Sequence, residues 1–303
     1  AVPIFYFLSG YLFFLNFQWS WSGYRRKLRS RVNTLLIPFL SWNLLTLLFL
    51  AVAETLPFTQ AFFSGANDPV LDYSVYDFLN KLLGIESFPI AYQFWFIRDL
   101  MVIILLCPFI HLALRTAPKI GLGLLACLWF FNLWLWYIPS VAAVAFFYAG
   151  AYCSFHRSHL FKLDPLGPRL LATWGVILVT DVLTIGAAGH EHLHKIGIVV
   201  GMGAVFFLTR GLSRHQTLRT ALRWAGPASF FVFAIHEPLL RIFRKVAYSL
   251  IQPDSDGTIV LLYFTIPLSV IALAMVVFRL MSKVTPTPLR ILTGGRIVTK
   301  TLS

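Results

Sequence analysis

Ala1–Phe17, AVPIFYFLSGYLFFLNF, is apolar from its first residue, and it contains Phe5-Tyr6-Phe7-Leu8-Ser9-Gly10, a Ser-Gly step set in a wall of aromatic and aliphatic side chains. A helix crossing the hydrocarbon layer needs about 20 apolar residues, and stretches of this kind recur to the far end of the 303 residues. Composition agrees: 58% of residues are hydrophobic, 16% aromatic and 12% charged, more apolar surface than a soluble core of this length requires. The runs are continuous rather than alternating, which excludes the strands of an outer-membrane barrel. The expected fold class is all-α, a polytopic membrane helix bundle. Residues 1–303 read as a single integral domain with no room for a soluble one.

Nine spans are expected, over residues 1–17, 33–53, 92–114, 120–138, 140–155, 169–188, 194–210, 228–250 and 257–282. Spans four and five are separated by Ile138-Pro139-Ser140, where proline breaks a helix, so they are expected to form a tight hairpin.

Cytoplasmic loops carry the excess of Lys and Arg. With the first span running inward, the loops that become cytoplasmic hold Arg25, Arg26, Lys27, Arg29 and Arg31; Arg115 and Lys119; Arg157, Lys162 and Arg169; Arg210, Arg214, Arg219 and Arg223; and Arg279, Lys283, Arg290, Arg296 and Lys300. The opposite loops collect Glu54, Asp68, Asp72, Asp77, Glu86, Glu191, Asp254 and Asp256, and Asp164 is the one acid on the basic side. The net charge of +13 is thus mainly a topology signal, and the chain lacks the basic face with exposed stacking aromatics of a nucleic-acid-binding fold. This orientation puts the C-terminus in the cytoplasm and Ala1 outside, so an outward helix is expected ahead of Ala1, making ten in all.

Cys107, Cys127 and Cys153 lie in or beside spans and read as small buried apolar side chains rather than a disulfide framework. Gly189-His190-Glu191-His192-Leu193-His194 contains metal-ligand residue types, but it reads as a polar connecting loop at the outer surface, and no metal site is expected.

Ionisable groups inside spans cost roughly 2.5–3.5 kcal/mol each at the bilayer centre and are kept where they pair or face a cavity. Two places qualify. Tyr92-Gln93-Phe94-Trp95-Phe96-Ile97-Arg98-Asp99-Leu100 sets Arg98 roughly 9 Å below the outer end, with Trp95 one turn away on the same face. Ser229-Phe230-Phe231-Val232-Phe233-Ala234-Ile235-His236-Glu237-Pro238 puts a His-Glu pair roughly 12 Å from the inner end. At those depths the two charged sets do not stack on each other. Glu237, Arg241 and Arg244 share a helix face, and an imidazole beside a carboxylate is suited to proton transfer near neutral pH. The structural alternative is a packing network in which Glu237 pairs with Arg241, His236 bonds a neighbouring helix, and Arg98-Asp99 locks two helices together. Asp181, in the sixth span, has weaker company. The basic segment Tyr24–Arg31 is explained by topology alone, although arginine forks also suit phosphates.

Four places together resemble the acyltransferase 3 family of integral membrane O-acyltransferases: Pro3–Phe14 with Phe-Tyr-Phe-Leu-Ser-Gly-Tyr-Leu-Phe-Phe; Lys27–Trp42 with Arg31 and Leu-Leu-Ile-Pro-Phe; Trp95-Phe96-Ile97-Arg98-Asp99-Leu100 through Pro108; and Phe230–Leu240 around His236. The resemblance implies ten helices in a bacterial inner membrane. It also implies transfer of an acyl group, commonly acetyl from acetyl-CoA as a donor co-substrate, to a hydroxyl of an extracytoplasmic glycan such as exopolysaccharide or lipopolysaccharide. No bound cofactor is implied; membrane lipid, acyl-CoA and a glycan or lipid-linked glycan are the partners. In this family the essential histidine sits with an upstream arginine on the first helix, the one expected ahead of Ala1, and His236 does not take its place. The candidate set in this chain is His236, Glu237 and Arg98 lining the acceptor or acyl tunnel, and Arg29 and Arg31 approaching CoA. Ser9, Gly10, Trp95, Asp99 and Arg241 are tunnel or packing residues, with Ser9-Gly10 packed against that first helix. A transporter or flippase of a glycan or lipid-linked sugar, or a non-catalytic remnant, is the alternative; the inverted repeats and matched broken helices common in transporters are not visible. The reading expects the upstream frame to encode an apolar helix bearing Arg and His about ten residues apart; sequencing that finds none removes the catalytic expectation.

Overall fold

The computed structural model describes residues 2–57, 59, 68–157 and 164–296. Lys162 and Lys300 of the charge pattern lie outside the described residues. Each expected span coincides with helix, and among the described residues no strand occurs. The chain order is α1 (Val2–Phe14), α2 (Trp21–Arg31), α3 (Ile37–Thr55), α4 (Val75–Leu83), α5 (Trp95–Leu105), α6 (Cys107–Thr116), α7 (Pro118–Phe130), α8 (Val141–Phe155), α9 (Gly167–Leu183), α10 (His190–Ser213), α11 (Gln216–Ala225), α12 (Ser229–Ile251), α13 (Asp256–Val284) and α14 (Pro286–Thr293).

The spans differ in length. Trp21–Thr55 is continuous through a π turn at Val32–Leu36, and with Asp164–Leu183, His190–Ser213 and Asp256–Val284 it is long and apolar enough to cross a membrane alone. Tyr92–Leu105 and Cys107–Thr116 form one broken span, bent by 61° just before Pro108, whose ring cannot continue α5. Helices α1, α7 and α8, at 13, 13 and 15 residues, are shorter than the ~20 residues of a full crossing. The outward faces are apolar: Val176, Val179, Val182 and Leu183 on α9, and Leu261, Tyr263, Phe264 and Leu268 on α13, are all at least 60% exposed. Surface of that character is stable against lipid rather than water.

Backbone packing divides the chain into two compact units, Ala1–Leu28 with Asp99–Ala221, and Arg29–Arg98 with Leu222–Ser303. In the first, α1 lies along α8 at backbone contact. A Cβ on Gly10 would stand 2.0 Å from the Phe147 carbonyl oxygen, and one on Gly150 would stand 1.8 Å from that of Phe7. Close approach between small residues is what drives helix association in lipid, where burial of apolar area contributes little. Gly10 therefore packs on α8, and Ser9 is half-buried. Helices α9 and α10 repeat the device, with Gly197, Gly201 and Gly203 seated against Ile177, Trp174 and Leu170.

Two expectations are corrected in this unit. The span-four helix ends at Phe130, so residues 131–140 form a longer connection than the hairpin expected at Ile138-Pro139-Ser140. Asn132 takes a left-handed φ of 57°, and Lys195, buried, donates to the Phe130 carbonyl (3.0 Å) and Asn132 Oδ1 (2.8 Å), satisfying an orphan helix-end acceptor. The His190–His194 stretch is the first turn of α10 rather than a loop. There His194 Nδ1 and His190 Nδ1 lie 2.9 and 3.5 Å from the Asp181 carboxylate, which gives Asp181 the company its sequence neighbours do not.

In the second unit α3 packs with α4 and α14, and α12 with α13 and with the short 3₁₀ turn Tyr92–Phe94. The Gly10 contact sets a direct test. Gly10→Ala or Gly150→Ala should destabilise the detergent-solubilised protein by about 1–3 kcal/mol, the usual range for overpacking. Gly123→Ala, where an added Cβ meets nothing within 4 Å, should not lower the thermal midpoint.

Candidate functional site

Helix α12 contains Pro238 in its interior. Proline has no N–H, so the carbonyl four residues earlier, that of Ala234, loses its helical donor. In a membrane helix such a group must be satisfied from elsewhere. Gln93 does this: its Nε2 donates to the Ala234 oxygen at 2.7 Å, and the side chain is 7% exposed. The contact is reinforced by rings, with Phe233 5.3 Å from Phe94 and 5.1 Å from Phe96. The two motifs singled out in the sequence are thus packed together by their backbones and aromatic rings.

The turn that carries Gln93 ends an irregular segment, 84–94, and its polar backbone is held by buried side chains. Asn43, fully buried on α3, accepts from the Ala91 N–H at 3.0 Å through Oδ1 and donates to the Phe39 carbonyl at 2.8 Å through Nδ2. Arg98, 6% exposed, donates from Nη1 to the carbonyls of Gly84 and Ser87, the latter at 3.1 Å. The Ile90 N–H bonds the Lys81 carbonyl at 2.7 Å. Gly84 caps α4 at φ 71°, a conformation that favours glycine. Non-helical backbone at membrane depth is tolerated where it is buried in protein and paired in this way.

On α12 itself, His236 Nδ1 lies 2.5 Å from the Phe233 carbonyl of the same helix. The packing alternative had His236 bond a neighbouring helix, and the bond is to its own. A carbonyl only accepts, so Nδ1 carries the proton and the neutral ring has its lone pair on Nε2, which has no hydrogen-bond partner among the described residues. Glu237 Oε1 accepts from Arg241 Nε at 2.9 Å, one turn on, and the carboxylate is 24% exposed.

The remaining expected residues divide between the units. Trp95 is half-buried, its ring 6.5 Å from Phe88 and 6.4 Å from Phe96. Arg29 is exposed and Arg31 half-buried on α2. All of these, with Arg98, His236, Glu237 and Arg241, fall in the second unit. Asp99, fully buried, falls in the first, where Oδ2 accepts from the Ser140 N–H at 2.9 Å at the start of α8. Within the basic segment two side chains serve structure in that unit: Lys27 donates to the Phe13 carbonyl at the end of α1 and sits over the Phe17 ring, and the Tyr24 hydroxyl donates to the carbonyls of Ile104 and Leu105. Asn43 and Gln93 were not singled out in the sequence. Pro238 was the available signal, because it names the one carbonyl on α12 that must find a side-chain donor.

Residues 1–279 match the family model of the acyltransferase domain. The chain is 25% identical over 314 residues to the succinoglycan biosynthesis protein ExoH of Rhizobium meliloti (strain 1021), with all of this chain and 81% of that protein covered. No solved structure matches. Replacing Gln93 or Asn43 with Leu should leave buried backbone groups unpaired, at about 1–3 kcal/mol each. Limited proteolysis should then cut within 84–94 faster than in the wild type, whereas unchanged cleavage would show that these side chains do not hold the segment.

Proposed function

The chain belongs to the acyltransferase 3 family, and on that premise we propose that it moves an acyl group, acetyl in the first instance, from cytoplasmic acyl-CoA to a hydroxyl of an extracytoplasmic glycan such as exopolysaccharide or lipopolysaccharide. The relative named for succinoglycan biosynthesis supports a polysaccharide acceptor. The protein then sits in the inner membrane of a bacterium with its C-terminus in the cytoplasm, as its basic loops favour.

The reaction asks for three things. The acceptor hydroxyl must lose its proton as its oxygen attacks the thioester carbonyl, the developing oxyanion needs donors, and the CoA sulfur must leave and take up a proton. The family's essential histidine, expected on a helix ahead of Ala1, is assigned the first, and His236 is placed beside the path rather than in that role. The single observation that carries its placement is the Nδ1 bond to the Phe233 carbonyl, which leaves Nε2 open to an acceptor hydroxyl. His236 and Glu237 line the path of the acceptor hydroxyl. Arg98 borders the same path by holding segment 84–94, and through Gln93 that segment holds α12. Arg29 and Arg31 supply cationic forks for the donor's phosphates.

The test is acetyl-CoA-dependent labelling of surface glycan by the native protein and two variants. His236→Ala should lower transfer by about tenfold, the worth of one hydrogen bond to the acceptor, and Arg98→Ala should lower it together with the stability of the fold. Wild-type labelling by both removes the site assignment, and glycan flux into vesicles with no acylation at all removes the transferase reading.

A further inference from the structure

Helix α11 carries two opposed stripes. Leu218, Ala221, Leu222 and Ala225 recur at steps of three and one along one face, and Gln216, Arg219, Thr220 and Arg223 line the other. Trp224 falls at the border between them. A helix patterned in this way ordinarily buries its apolar face against a neighbour, yet α11 has no buried residue, and Leu222 and Trp224 are each more than half exposed. Only Arg214 and His215 separate it from α10, a helix long and apolar enough to cross the membrane. The uncovered face therefore lies at the end of a span, at the level of the lipid headgroups, where short amphipathic helices with Trp and Leu on one side and Arg on the other lie in the plane of the membrane.

Charge narrows what meets it. Residues 192–236 and 257–303 contain no Asp or Glu, while Arg214, Arg219, Arg223, Arg279 and Lys283 all fall within them. Arg279 is built into the end of α11. It sits on α13 five residues, about 7.5 Å, before the helix ends at Val284. Its guanidinium carbon is 4.5 Å from the centre of the Trp224 ring, and Nη2 donates at 2.7 Å to the Trp224 carbonyl, among the last of α11. Its Nε is buried and has no hydrogen-bond partner among the described residues. A buried N–H left without an acceptor is costly, and this one belongs to a guanidinium already fixed by a ring and a carbonyl. The acceptor that suits such a fork at headgroup depth is a phosphate oxygen.

We propose that Arg279, with Arg223 beside Trp224, binds the phosphate of an anionic lipid headgroup, and that α11 lies with its leucine face in the same leaflet. Leu222, Arg223, Trp224 and Arg279 all belong to the second unit. The inference rests on the membrane fold and is independent of the acyl donor. A zwitterionic lipid has the same phosphate but brings its own cation, so acid-free, arginine-rich surroundings favour a lipid with net negative charge. Helix α11 runs through the 3₁₀ turn Gly226–Ala228 into α12. A lipid seated on Arg279 thereby holds the start of the helix that bears His236.

Native mass spectrometry of the detergent-purified protein, titrated with phosphatidylglycerol or phosphatidylcholine, counts the bound lipid. Wild type should hold phosphatidylglycerol more tightly than phosphatidylcholine. Arg279→Gln should weaken phosphatidylglycerol by about tenfold, Arg279→Lys by less, and Arg223→Gln by about fivefold. Arg115→Gln, at an exposed position on α6, should leave it unchanged. Variants are compared once their thermal unfolding in phosphatidylcholine matches the wild type, and exposed Arg223 keeps the test in force if Arg279→Gln does not fold. Equal phosphatidylglycerol affinity in wild type, Arg279→Gln and Arg223→Gln overturns the site, as does a wild type with no preference for the anionic lipid. Displacement of phosphatidylglycerol by added CoA would assign the arginines to a soluble phosphate and overturn the lipid reading. Acyl transfer is read in its own assay, so none of these results decides it.

Discussion

Pro238 removes the donor that the Ala234 carbonyl would have had in an unbroken helix, and the side chain that replaces it, Gln93, comes from a different part of the chain. In water this carbonyl would be solvated at little cost. In a lipid-embedded helix it must be paired within the protein, so the proline makes the position of α12 depend on the turn at Tyr92–Phe94. That turn depends in turn on Asn43 and Arg98, which pair the carbonyls and amides of segment 84–94. His236 and Glu237 stand between Ala234 and Pro238. The irregular segment 84–94 is therefore held by Asn43 and Arg98, and through Gln93 it is tied to the helix that carries His236 and Glu237.

The first unit solves a different problem. Its central contact, α1 on α8, is made by removing side chains so that two backbones touch at Gly10 and Gly150. Its polar residues are placed at helix ends: Asp99 accepts from the Ser140 N–H at the start of α8, Lys195 donates to the Phe130 carbonyl at the end of α7, and Lys27 donates to the Phe13 carbonyl near the end of α1. Arg98 donates to the carbonyls of segment 84–94, and Asp99 accepts from the amide at the α8 N-terminus.

Much of the helical architecture was legible because hydropathy reports directly on lipid contact: every expected span contains helix. Helix ends were less legible. The α7 terminus at Phe130 depends on a left-handed Asn132 and on a lysine some sixty residues later, and neither interrupts the apolar run that suggested a helix to 138. The contact of Gly10 with α8 was illegible for a related reason, since small residues announce a close approach but not which helix makes it. At the candidate site, His236, Glu237 and Arg98 stood out because charge is costly in an apolar span. Asn43 and Gln93, more deeply buried than His236 and Glu237, did not, because an uncharged amide in an apolar stretch costs less than a charge and gains meaning only against the distant backbone group that it pairs. Arg279 was read as one more cytoplasmic charge, and only the Trp224 ring and carbonyl that it meets distinguish it from the rest of the basic tail.

The central claim is that segment 84–94, though not helical, is held as firmly as the helices by Asn43, Arg98 and Gln93, and so fixes the helix that bears His236. Hydrogen–deuterium exchange of the native protein in nanodiscs measures this directly. The amides of Ile90, Ala91 and Phe94, bonded to the Lys81 carbonyl, Asn43 Oδ1 and the Ala91 carbonyl, are expected to exchange as slowly as those of the flanking helices. Exchange as fast as that of an exposed loop would contradict the account.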